Sequence, residues 1–477
     1  LVLLMCLSTL FAQAQKFTPA SYLGYEIGTR FTRQDKVVGY FQALQSAFPT
    51  TLKVEKYGET YEHRDLILAF IGTPENLKKL EEIRQAHQTH AVNENLAIVW
   101  LSYNVHGNES SGTEAAMQTA YRLLTDKASY LENTIVIMDP CLNPDGRDRY
   151  VNFYHQYGNA PADLHKFSAE HNEPWPSGRP NHYLFDLNRD WAWQTQLETQ
   201  LRMDLYHQWM PMVHADVHEM GYNEPYFFPP AAEPYHEQIA PFQRDFHKKI
   251  GEITSKKFDK EGWMYYSGER FDLFYPSYGD TYPCYNGAVG MTYEQGGIGA
   301  GRAVLLKNGD VLTLQDRIDH HAKAILTVVE LSNVQKDVLT KEFRAYFKDN
   351  RTKPKGKYQT YVVKNNPKNQ ELLVLLNRNR IETSFADETK KLTGYHYQSN
   401  KDKAFSIEPN DLIIKVDQPR SVLTQVLFEP HHKLTDSLSY DITAWSLPLA
   451  YGVESFALKG NLPIKTKTKL DVIVPSK

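Results

Sequence analysis

The chain has 477 residues, enough for one large core and a second unit, because single cores stop growing at about 250 to 300 residues. A formal charge of −4 excludes the broad basic field that a nucleic-acid backbone would need. With 41% hydrophobic residues, 30 Tyr and 7 Trp, the composition also excludes a disordered or fibrous chain.

The opening run LVLLMCLSTLFAQAQ is apolar and ends in Ala12-Gln13-Ala14, the small-x-small pattern of a signal-peptidase site. A signal peptide over 1–14 predicts a secreted or periplasmic chain. Neither Met nor a basic stretch precedes Leu1, so this leader reads as clipped. Met5 is a poor neighbour for a lipid-anchored Cys6. The run is too short to span a bilayer, and no later segment approaches ~20 apolar residues, so no integral membrane segment is expected in the mature chain. Cys141 and Cys284 can pair in an oxidising compartment or stay as two buried thiols.

In chain order, Thr51 to Lys56 and Asp65 to Ile71 read as strands joined by a turn at Gly58, and Ala97 to Tyr103 (AIVWLSY) as a buried strand. A helix is expected immediately beyond Glu109, with Ser111 and Glu114 as a capping box and Ala116, Ala120 and Leu124 at helical spacing. Thr134 to Met138, Met212 to Val217 and Val289 to Glu294 are further apolar strands. Gln238 to Lys257 and Arg317 to Leu331 read as helices between and after them. The alternation predicts an α/β fold: a mixed, mostly parallel sheet flanked by helices, with ligands beyond the strand carboxyl ends. Residues 348–357 (KDNRTKPKGK) read as a linker, and 358–477 as a smaller α/β or α+β module whose completeness the sequence leaves open. Its elements would be a strand at Tyr358 to Lys364, a helix at Asn369 to Arg380 and a strand at Asp411 to Val416.

A catalytic zinc takes three protein ligands and keeps one position free. A His-x-x-Glu pair with a distant third His is one way to supply them. Here the pair is His106 and Glu109 in NVHGNESSG, and the third residue is His218 in MVHADVHEMG. The pair alone is a weak signal, but it lies in a Gly-containing turn at a strand end.

With these residues in place, the sequence resembles the zinc metallocarboxypeptidase family, the carboxypeptidases of A/B and D/E type. Four segments carry the resemblance in order: HGNE with its helix, NPDG at Asn143 to Gly146, SGRPNHYLFDLNRDW from Ser177 to Trp191, and MTYEQ from Met291 to Gln295. The third is the most specific, because the D/E-type relatives carry Gly-Arg and then Phe-Asp-Leu-Asn-Arg at the offset of Arg179 and Phe185 to Arg189. It covers roughly residues 20–335, taken as the catalytic domain. The tail resembles the glutamine-amidotransferase-like tail of longer bacterial members, but it has no cysteine for thiol chemistry.

The resemblance implies a zinc carboxypeptidase with one Zn2+ per catalytic domain, held by His106, Glu109 and His218. It implies Glu294 as general base, Arg179 as the oxyanion-stabilising arginine, and Asn188 and Arg189 as the pair that holds a terminal carboxylate. Peptides or proteins with a free C-terminus would be the substrates. The family's mobile tyrosine falls among Tyr275, Tyr278 and Tyr282, with Tyr278 preferred. The A/B-type position for the oxyanion arginine falls near Gly158, so the D/E pattern applies. Glu294-Gln-Gly-Gly departs from the family's usual Glu-Leu and leaves the side-chain pocket open.

Each residue taken singly has a structural reading, since isolated His, Arg and Glu are more often hydrogen-bonded or solvated groups. His214, four residues before His218, is read as structural. Glu219, Glu224 and His320-His321 are read as solvated or helix-surface groups, His431-His432 as a loop pair, and Asp280 as a local turn acceptor or as an attractor of a basic residue. Two other functions compete: a zinc amidohydrolase acting on cell-wall peptides or acylated amino acids, and an inactive protein that binds peptide ends.

Overall fold

The structure is a computed structural model that describes residues 17–88, 96–435, 439–442, 444–460 and 463–468. The leader assigned to 1–14 and Cys6 lie outside the described residues. No helix among the described residues is long and apolar enough to cross a membrane.

The first sheet contains β1 (Leu52–Glu59), β2 (Asp65–Ile71), β3 (Ala97–Tyr103), β4 (Thr134–Asp139) and β5 (Val213–Gly221). A short β6 (Tyr226–Phe227) follows, then β7 (Ala232–Tyr235), β8 (Tyr265–Tyr266), β9 (Asp272–Leu273) and β10 (Val289–Ile298). Eight of these form one sheet in the order β1-β2-β4-β3-β5-β10-β6-β8, while β7 pairs with β9 apart from it. The centre, β4-β3-β5-β10, is parallel; β1 and β2 add an antiparallel edge.

Sequence explains the placement. β3 and β4 are mostly apolar and buried along their whole length, as parallel strands covered on both faces must be. The helices Ser111–Leu124 and Leu314–Val334 cover one face and pack on each other. β5 and β10 instead carry His218, Glu219 and Glu294 towards their carboxyl ends, so the polar chemistry collects at one rim of the sheet.

The helix beyond Glu109 does begin at Ser111, but the expected capping box is absent. Ser111 Oγ bonds Glu219, and Glu114 is fully buried, accepting from Thr32 and from Arg147 at 2.7 Å. Tertiary pairing claimed the two side chains that a lone helix would spend on its own end. Cys141 and Cys284 are free, buried thiols.

After the hairpin β11 (Ala303–Leu305) and β12 (Val311–Thr313) come the strands of the second sheet. They are β13 (Thr360–Val363), β14 (Ser384–Ala386), β15 (Lys390–His396), β16 (Lys401–Ile407), β17 (Leu412–Lys415), β18 (Ser455–Leu458) and β19 (Thr466–Lys467). Their order is β16-β15-β18-β13-β17-β14-β19, and every pairing is antiparallel. With the helices Asn369–Arg378 and Ser421–Phe428, this is the α+β alternative.

The basic stretch expected to be a linker is half helical. The helix Lys336–Thr352 runs through residues 348–352, with Phe343, Tyr346 and Phe347 buried on one side. Lys and Arg are good helix formers and here occupy the solvent side. The second sheet is not held by a tether alone: the buried Arg420 donates to Asn286 Oδ1 at 2.9 Å, and Asn379 Nδ2 donates to the carbonyl of Ala192 at 2.9 Å.

Candidate metal centre

The turn after β3 is built from its own polar side chains. Asn104 adopts φ +61°, a left-handed conformation that asparagine tolerates. Its Nδ2 donates to the carbonyls of His106 at 2.8 Å and Glu109 at 2.9 Å, fixing both ends of the loop. Gly107 is required by close approach: a Cβ there would lie 2.1 Å from the carbonyl carbon of Gly146. Thus the HGNE turn and the NPDG helix start are packed backbone to backbone. Asn143 caps that helix by accepting from Gly146 N at 3.0 Å, and its Nδ2 donates to the carbonyls of Val105 and Arg179. One asparagine therefore ties three motif segments together.

His106, Glu109 and His218 converge. A potential ligand atom from each lies within 4.8 Å of the others, and all three residues are buried. His106 Nδ1 is 2.6 Å from Glu109 Oε1, and His218 Nδ1 is 3.0 Å from Glu109 Oε2. Each imidazole turns its other nitrogen to a carboxylate: His106 Nε2 to Asp186 Oδ1 at 2.9 Å, His218 Nε2 to Asp216 Oδ2 at 2.8 Å. Carboxylates behind the rings fix the tautomer and raise ligand basicity, as metal-bound histidines require. Two nitrogens and a carboxylate in this arrangement fit a divalent zinc. Burial alone would raise Glu109, but His106 and His218 outweigh it and hold its carboxyl well below the usual range.

Glu294 sits on β10 directly beside His218, the two being register partners across the parallel β5–β10 pair. Burial, reinforced by Glu109 and opposed by His218 and Arg179, pushes its carboxyl up to about 8. Arg179 donates from Nη2 to Asp186 Oδ2 at 2.9 Å and reaches Glu109 Oε1 at 3.4 Å. Asn188 Oδ1 accepts from Gly279 N at 2.9 Å. Gly279 admits no side chain, since a Cβ would stand 1.9 Å from Asp216 Oδ2. Arg179, Asn188, Arg189, Tyr278, Asp280 and Glu294 line one cleft of about 230 Å³ together with His106, Glu109 and His218.

Residues 37–209 match the sequence model of the family described as zinc carboxypeptidase. Over these residues the chain is similar to the zinc carboxypeptidase family. The match includes His106, Glu109, Arg179, Asn188 and Arg189 and stops short of His218, Tyr278 and Glu294. Geometry adds those three, because β5 and β10 continue the sheet beyond the matched segment. No curated protein matches the chain. Among solved structures, thrombin activatable fibrinolysis inhibitor is 12% identical at TM-score 0.46, covering 67% of this chain and 77% of that one. A metallo-carboxypeptidase from Burkholderia cenocepacia is 16% identical at TM-score 0.44, covering 63% and 69%. Carboxypeptidase A from Helicoverpa armigera is 16% identical at TM-score 0.43, covering 71% and 81%.

The three candidate tyrosines separate. Tyr278 lines the cleft, whereas Tyr275 accepts from Trp193 Nε1 at 2.6 Å and the buried Tyr282 bonds Asn379. His214 is enclosed by Tyr206 and Ser102. Glu219 and His321 are not solvated: Glu219 is buried against Arg317 and Ser111, and His321 lies at 2.9 Å from the Tyr226 hydroxyl. His432 stacks on Trp445 and meets His236 at 3.1 Å. Asp280 is buried, and burial followed by Asp216 pushes it up to about 7.

Sequence reasoning gave no role to Asp186, Asp216, Arg270, Asp272 or Tyr440. Asp216 was findable, since a carboxylate two residues before His218 on the same strand face points to the same site. Tyr440 carried no local signal.

Proposed function

We propose that the chain is a zinc-dependent carboxypeptidase that removes the C-terminal residue of peptides. The convergence of His106, Glu109 and His218, with Glu294 in register beside His218, carries this reading. Zinc on that donor set would supply a Lewis acid for the scissile carbonyl and would acidify the attacking water. Glu294 takes the proton from that water and returns it to the leaving amine. Arg179, at the cleft wall, faces charge as it develops on the carbonyl oxygen, where a fixed cation contributes more than it does to the neutral ground state. Asn188 and Arg189 receive the terminal carboxylate, a planar anion that a guanidinium can grip by two parallel bonds. Tyr278 closes the same end of the cleft. Export belongs to this reading, supported by the apolar leader of the sequence.

The test is a peptide library read by mass spectrometry with and without a chelator. Loss of single C-terminal residues, abolished by the chelator and blocked by C-terminal amidation, is the expected result. Equal cleavage of free and amidated peptides would favour the amidohydrolase reading instead.

A further inference from the structure

The C-terminal α+β unit reaches into the cleft. Tyr440 lines it, donates its backbone N–H to Asp272 Oδ2 at 2.6 Å, and packs its ring on Phe271 with centroids 5.2 Å apart. Asp441 goes further. Its Oδ2 accepts from Arg189 Nη2 at 2.8 Å, from Arg189 Nε at 3.1 Å and from the Tyr278 hydroxyl at 2.8 Å. The Arg189 guanidinium also lies over the Tyr278 ring, 4.6 Å from its centroid.

The Arg189 guanidinium presents two edges to a carboxylate, Nε with Nη2 and Nη1 with Nη2. Asp441 Oδ2 occupies the first edge, and Nη1 of the second donates to the carbonyl of Asn188 at 3.2 Å. A carboxylate from the chain itself therefore stands on the groups that the carboxypeptidase reading assigns to the substrate's terminal carboxylate. The volume of the cleft agrees, since about 230 Å³ falls below the roughly 300 to 1,000 Å³ of most small-molecule sites.

We propose that Asp441 is an internal competitor for the substrate's C-terminal carboxylate, so that a free-ended peptide binds only by displacing it from Arg189 and Tyr278. The inference rests on the exopeptidase reading of the site. It makes the C-terminal unit a regulator of affinity, selective for carboxylate-ended ligands. Ligands without that charge do not compete for Arg189 and escape the effect. Because the Asp441 and Arg189 side chains are 35% and 29% exposed, the pair is a partly solvated one, for which an effect of about fivefold is expected.

The experiment uses the zinc-loaded full chain with Asp441→Asn and Asp441→Ala. Calorimetry measures binding of an N-acetylated dipeptide with a free C-terminus and of its C-terminal amide, and KM is measured on the matching free-ended peptide. The proposal predicts about fivefold tighter binding of the free-ended probe in both variants, unchanged binding of the amide, and a KM lowered in the same proportion. Thermal melting reports whether the variants keep the fold. Unchanged or weaker binding of the free-ended probe, in variants of a protein that still prefers it over the amide, overturns the proposal. If neither wild type nor variants distinguish the two probes, the exopeptidase reading has failed and the proposal falls with it.

Discussion

Asp216 lies two residues before His218 on β5, and its Oδ2 accepts from His218 Nε2 at 2.8 Å. The carboxylate thus holds from behind the imidazole whose other nitrogen faces Glu109. Replacing Asp216 by Asn removes the charge and keeps the shape. We expect zinc affinity to fall by about 10- to 100-fold, read by competition with a chromophoric chelator.

Glu294→Gln separates metal binding from catalysis. The amide cannot accept a proton from water, yet Glu294 is outside the cluster of candidate ligands. Zinc content should stay at the wild-type level while kcat falls by about 10²- to 10⁴-fold, measured on any peptide the wild type cleaves. Near-full activity would remove Glu294 from its role.

The buried pair of Arg147 and Glu114 makes a prediction about stability. Both side chains are fully buried and 2.7 Å apart, and Arg147 also donates to the carbonyls of Thr32 and Ser110. Glu114→Ala strands a buried cation. A loss of about 3 to 5 kcal/mol is expected in denaturant unfolding.

Glu429, in the second unit, sets a pH dependence. Burial, the largest cause, pushes its carboxyl up to about 7. A carboxyl whose folded value exceeds its unfolded one, about 4.3, binds more protons when folded between those two values. Stability therefore falls as pH rises from about 4.3 through 7. Glu429→Gln should leave stability at pH 4 nearly unchanged and raise it at pH 8 by about 1 to 3 kcal/mol, checked by urea unfolding at both values.

Much of the fold was legible because its centre obeys simple rules. The apolar runs of β3 and β4 could only be covered strands, and β3 spans Ala97–Tyr103, the range its pattern predicts. His106 and Glu109 stood out because a short turn at a strand end carries both. Other features depend on distance in the chain. Ser111 and Glu114 have capping-box spacing, yet Thr32, Arg147 and Glu219 took them for tertiary bonds. The basic run at 348–357 gave no sign that Phe343, Tyr346 and Phe347 would hold its first half in a helix docked by one buried side. Asp441 reaches Arg189 across 252 positions, and no local pattern encodes such a contact.

Native mass spectrometry of the full chain tests the centre of the account most directly, by counting zinc ions in wild type and in Glu109→Ala, whose lost carboxylate touches both imidazoles. The account predicts one tightly held ion in wild type and almost none in the variant. Equal zinc content in the two proteins would contradict it.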